Sequence, residues 1–178
     1  MSVRTDRNRG FTLAETLVAM LILLMASAIL AMGVPTAIDT YHKVTDAANA
    51  HVLVSTTMME LKDKLSLAYE IEINDKNNID FVDANGRSFE LCNNGNNAVT
   101  VGSTAYYGLY LQGMTTDESA LLVSDSAAAK NLYAKYDRVS FVADGYVKFE
   151  GIAVFRKDDD HELVRIDEYD VKVLNYRD

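Results

Sequence analysis

The sequence predicts an α+β protein: a long kinked N-terminal helix whose outer half packs on an antiparallel β-sheet head. Three observations carry this. Residues 11–34 form an apolar run with one charge, Glu15. From Ala47 to Ala68, apolar residues recur at steps of three or four, the mark of an amphipathic helix. Residues 71–178 show the two-residue alternation and the Gly/Asn/Asp turn signals of short strands. The 178 residues are 49% hydrophobic and 24% charged, which excludes wholesale disorder and collagen-like repeats.

The first element is the apolar run. A helix of these 24 residues is about 36 Å long, enough to cross a bilayer core of about 30 Å. Leu17, Val18, Met20, Leu21, Ile22, Leu23, Leu24, Met25, Ile29 and Leu30 make it apolar on every face, unlike a buried core helix with one polar side. Residues 1–10 carry Arg4, Arg7 and Arg9 against Asp6. The positive-inside rule therefore keeps Met1 in the cytoplasm and exports the rest. A secretory signal peptide is the rival, with Ala26-Ser27-Ala28 as a cleavage site. The charge-free stretch from Leu17 to Val34 is long for its apolar region, and a Glu just inside that region does not suit it.

Glu15 needs a partner, because a carboxylate in an apolar helix is unfavourable when left unpaired. In Arg7-Asn8-Arg9-Gly10-Phe11-Thr12-Leu13-Ala14-Glu15, a cut after Gly10 would give Phe11 a new α-amino group about one turn from Glu15. The amine of a neighbouring copy could then neutralise the carboxylate. This run resembles the class III signal of type IV prepilins and type II secretion pseudopilins, over residues 7 to about 35. The resemblance implies that residues 1–10 are a leader removed by prepilin peptidase between Gly10 and Phe11. It implies N-methylation of Phe11 and a docking role for Glu15. It also implies a pilin-like fold, and other pilin or pseudopilin subunits and an inner-membrane assembly platform as partners.

Gly33 and Pro35 mark a kink or boundary at the outer membrane face, since proline donates no backbone hydrogen bond. In the family such a region can lose helicity when subunits pack. Residues 35–70 then continue the helix as its amphipathic half. Its stripe is Ala47, His51, Val54, Met58, Leu61, Leu65 and Ala68, with His51 as a semi-buried packing residue and Met58 and Met59 as core filler.

Residues 71–178 are the head. Ile79-Asp80-Phe81-Val82 and Arg87 to Leu91 read as a hairpin around Asn85-Gly86. Ala105 to Leu111 reads as one tyrosine-rich strand. Arg138–Val142, Tyr146–Phe155 and Leu163–Leu174 read as an antiparallel meander. Residues 93–97 and 113–129 read as surface loops.

Few residues suggest other chemistry. Asp158, Asp159 and Asp160 are the densest oxygen cluster and candidate calcium ligands. Their spacing is not that of an EF-hand, and a solvated hairpin turn explains them equally well. His42, His51 and His161 are too few for a triad, and no phosphate-binding glycine loop or nucleophile motif is visible. Cys92 is the one cysteine, so an intramolecular disulfide is impossible, and the cysteine pair of many Gram-negative pilin heads is missing. Residues 35–178 hold 14 Lys/Arg against 24 Asp/Glu, a poor match for nucleic acid. The expectation is a non-enzymatic filament subunit without cofactors, anchored in the cytoplasmic membrane and then carried into a cell-surface or periplasmic filament. A head of this size without repeats fits a minor subunit better than a major one. The alternatives are a single-pass anchored binding module that keeps residues 1–34 uncut, and an exported enzyme released by ordinary signal peptidase.

Overall fold

The computed structural model describes residues 12–101, 104–114, 119–123, 131–142 and 145–175. It has one long helix followed by antiparallel sheets, the α+β, pilin-like layout expected. Helix α1 spans Leu13–Ser66. The chain divides into two compact units, one ending at Val44 and the other beginning at Thr45.

In the first unit every described side chain, from Thr12 to Val44, is exposed. Hydroxyl side chains of this stretch close on their own helix. Ser27 Oγ donates to Leu23 O at 2.7 Å, Thr36 Oγ1 to Met32 O at 3.0 Å and Thr40 Oγ1 to Thr36 O at 2.8 Å. Hydroxyls bonded to the preceding turn need no water, which suits a helix in an apolar medium. The helix runs unbroken through Gly33 and Pro35, so this pair does not end it. One missing N–H is too little to stop a helix whose flanking turns remain bonded on both sides.

In the second unit α1 buries Ala50, Leu53, Val54, Thr57, Leu61 and Leu65. This corrects part of the expected stripe. Ala47 and His51 are exposed, as is Met59 at 67%, while Met58 is half-buried. The covered face rotates along the helix, so its N-terminal end is contacted on the side of Asp46, Asn49 and Ala50. There Arg156 Nη2 meets Asp46 Oδ2 at 3.0 Å. Thr57 joins the buried face because its hydroxyl is satisfied by Leu53 O at 2.8 Å. The helix also ends earlier than residue 70. Ser66 O accepts the N–H of Leu174 at 2.8 Å, and Glu70 takes a left-handed φ of 48°.

Among the described residues eleven strands follow: β1 Tyr69–Ile73, β2 Ile79–Val82, β3 Ser88–Asn93, β4 Val99–Val101, β5 Thr104–Tyr106, β6 Leu109–Gly113, β7 Ser119–Leu121, β8 Leu132–Lys135, β9 Arg138–Val142, β10 Tyr146–Arg156 and β11 Glu162–Lys172. One sheet has the order β1-β2-β3-β6-β7, and β4 pairs with β5 as a separate ribbon. In the other sheet β10 is central, with β11 on one side and β8 and β9 end to end on the other. Both the hairpin and the meander form as expected. Ile79 pairs with Leu91 and Phe81 with Phe89, and Gly86 turns with φ 80°. Val139, Val147, Phe149, Ile152, Val154 and Val171 meet Leu53, Leu61 and Leu65 in one core.

Three strand expectations change. The 105–111 strand is broken at Tyr107-Gly108, because Gly108 adopts φ 67° against the backbone of Ala134. Residues 113–129 include β7, with Leu122 buried behind it, and the rest of that stretch lies partly outside the described residues. Residues 93–97 include the end of β3 and a turn closed by Asn97 N to Asn94 O at 3.1 Å.

Candidate functional site

The N-terminal end of α1 holds the first site residues. Thr12 precedes the helix and Glu15 lies in its first turn. The backbone N–H of Glu15 donates to Thr12 Oγ1 at 3.3 Å, and the N–H of Thr12 donates to Glu15 Oε2 at 2.9 Å. The Thr12 hydroxyl also donates to Oε2 at 3.0 Å. This is a reciprocal capping box, in which two side chains satisfy amides that a helix start leaves without partners. A negative side chain there also suits the positive end of the helix dipole. Among the described residues Oε1 accepts no hydrogen bond, since all of these contacts fall on Oε2. The Thr12 cap is a contact the sequence reading did not single out, although Thr-x-x-Glu before an apolar run is its visible signature. Gly10 and Phe11 lie outside the described residues.

The acidic turn after β10 is engaged by protein groups. Asp158 accepts from the Asn131 amide and Asp160 from the Tyr133 hydroxyl. Asp159 accepts from Arg156 Nη1 at 3.0 Å and from the N–H of His161 at 3.2 Å. Arg156 also reaches Asp46, so the turn is tied to α1. Among the described residues no group of three His, Cys, Asp or Glu side chains is arranged to hold a metal. The candidate calcium ligands Asp158, Asp159 and Asp160 each accept hydrogen bonds that fasten the turn.

Cys92 is buried in a small second core with Tyr106 and Tyr110, whose rings stack at 5.3 Å. Burial pushes its thiol up to about 11, which disfavours the thiolate. Of the histidines, His42 lies in the first unit, with His51 and His161 exposed in the second.

Residues 5–31 match a family described as the prokaryotic N-terminal methylation motif. The chain thus carries the class III signal of type IV pilins and pseudopilins. The match covers Arg7, Arg9, Gly10, Phe11, Thr12, Glu15 and most of the apolar run, and it does not reach the sheets. No curated protein and no solved structure matches the chain.

Proposed function

We propose that this protein is a structural subunit of a type IV pilus-like or pseudopilus filament. It inserts with its N-terminus in the cytoplasm, is cut by prepilin peptidase after Gly10, is N-methylated on Phe11 and assembles through α1. A minor-subunit role fits its head, which has no evident repeats. The observation that carries the reading is a methylation motif leading into a helical stretch whose described side chains are all exposed. Every side chain from Thr12 to Val44 is exposed, Leu13, Met20 and Ile29 among them at 70% or more. Lipid satisfies that surface first and neighbouring copies of the helix satisfy it afterwards.

In lipid the tails are as apolar as leucine, so helix association rests on packing and polar contacts rather than on hydrophobic burial. Glu15 supplies the polar contact. Thr12 holds Oε2 and points the carboxylate towards the start of the helix, leaving Oε1 to take the methylated amine of an adjacent subunit. Gly33 and Pro35 are the place where the packed helix yields, since no intrahelical bond is donated by Pro35.

Intact-mass analysis of the protein from cells containing prepilin peptidase tests the processing step. The expected product starts at Phe11 and carries one methyl group. Gly10→Leu is expected to retain residues 1–10, because a side chain at the cut site obstructs the peptidase. Recovery of a chain starting at Met1 overturns the reading in favour of an anchored module, and a start beyond residue 28 favours ordinary signal peptidase.

A further inference from the structure

The strand register brings a row of polar side chains across all five strands of the first sheet. Glu72 of β1 lies opposite Asp80 of β2, Asp80 opposite Glu90 of β3, Glu90 opposite Gln112 of β6, and Gln112 opposite Ser119 of β7. Asp80 is flanked in β2 by Ile79 and Phe81, which are buried in the core against α1. Alternation therefore puts the row on the opposite face of the sheet. Its first three members are carboxylates on adjacent strands, where directly opposed side chains have Cβ atoms about 4.5–5.5 Å apart and like charges repel.

The carboxylates are unequally satisfied. Glu90 Oε1 accepts from Asn78 Nδ2 at 2.9 Å and from Asn74 Nδ2 at 3.1 Å, and Asn78 is itself buried. Those amides clamp Glu90 as an acceptor. Asp80 Oδ1, by contrast, is buried without a hydrogen-bond partner among the described residues. A buried acceptor left unpaired is unfavourable, and more so when it is charged. The groups acting on Asp80 are Glu90, Glu72 and the Asn74 amide, and none of them is cationic. A proton on Oδ1 would remove a charge from the row and relieve the orphan oxygen of its unpaired charge.

We propose that Asp80, opposite Glu90 in the β2–β3 pair, takes up a proton in mild acid, and that this proton makes the five-stranded sheet more stable there than at neutral pH. The direction follows from the environment. Burial first, and the Glu90 charge second, hold the Asp80 carboxyl above its ordinary value. Ionising it weakens the native state, so stability rises as pH falls from neutral towards the ordinary carboxylate pKa of about 3.9. Two other carboxyls act in the opposite sense at lower pH. Burial opposes ionisation of Asp83 and Asp159, but bonds from Arg87 and Asn85 at the first, and from His161 and Arg156 at the second, outweigh it and hold both below the ordinary value. Their contributions are lost only in stronger acid, outside the window of the Asp80 proton.

The test is thermal unfolding of the full chain in detergent micelles, followed by circular dichroism between about pH 7.5 and about pH 4.5. The parent protein should gain roughly 2–4 °C in Tm across the window, with the midpoint near one titration. Asp80→Asn, which keeps the shape and removes the charge, should start higher at neutral pH and stay flat. Glu72→Gln changes only the exposed end of the row and should move the midpoint of the rise to lower pH. A parent Tm that is level or falls, an Asp80→Asn protein no more stable than the parent at neutral pH, or an unmoved midpoint in Glu72→Gln would each overturn the proposal. So would a calcium-dependent rise in the parent at neutral pH that Asp80→Asn lacks, since the row would then hold a cation.

Discussion

Glu15→Ala is expected to leave the subunit inserted and cut after Gly10, but missing from the filament fraction. An unpaired charge within an apolar helix is unfavourable by about 2.5–3.5 kcal/mol at the membrane centre and by less towards the surface. Removing the carboxylate leaves the amine of the neighbouring Phe11 without its partner, and loss of one member of a desolvated pair is the strongly destabilising case. A loss of about 2–3 kcal/mol at each docking step lowers incorporation by one to two orders of magnitude. Immunoblots of sheared filaments against the membrane fraction measure it.

Glu15→Gln separates the two roles open to this residue. Gln also completes a capping box, so it preserves the contact with Thr12 while removing the charge. If Glu15 mattered only as a cap, Gln would restore assembly and Thr12→Ala would impair it as much as Glu15→Ala. With charge pairing dominant, Gln fails like alanine, whereas Thr12→Ala loses only a cap of about 1 kcal/mol. Normal incorporation of Glu15→Gln would end the pairing account while leaving the processing prediction at Gly10 untouched.

Gly108→Ala is the largest expected effect on folding. Gly108 has φ 67°, and a Cβ there would overlap the carbonyl oxygen of Ala134 and come within 3.2 Å of its nitrogen. Ala134 sits in β8, which is paired with β10 through Val154 and cannot withdraw without breaking that ladder. A left-handed alanine costs about 1 kcal/mol and an overlap with buried backbone about 1–3 kcal/mol more. A fall in Tm of roughly 6–12 °C follows for a protein of this size. Gly86→Ala is the control. It has a comparable φ of 80° with open space around it, so only the conformational part applies. Equal losses in the two variants would show that contact with Ala134 does not constrain Gly108.

The legible parts of the chain are those whose signal is local. The 79–91 hairpin carries its own turn residues, and the β9-β10-β11 meander alternates apolar and polar side chains. β8 escaped because Leu132, Tyr133 and Ala134 are all buried and show no two-residue period. The 105–111 strand looked continuous because the reason for its break, the backbone of Ala134, lies far along the chain. His51 followed an apolar spacing but fell off the covered face as the contact rotated along α1. The Thr12 cap differs in kind, because its Thr-x-x-Glu signature is local and legible in the sequence.

By itself the sequence determined the class III signal at the N-terminal end of the chain. A glycine before an apolar run, one acid inside it and a basic stretch ahead are covalent neighbours, and their spacing survives any fold. Only the tertiary structure decided what the head's charges do. Asp158 and Asp160 are paired by groups 27 residues away, and Asp46 meets Arg156 across 110 residues. Glu72, Asp80 and Glu90 become one row only when three strands adopt a particular register. The energy of a charge depends on its neighbours in space and on its access to water, and for residues distant along the chain folding sets both.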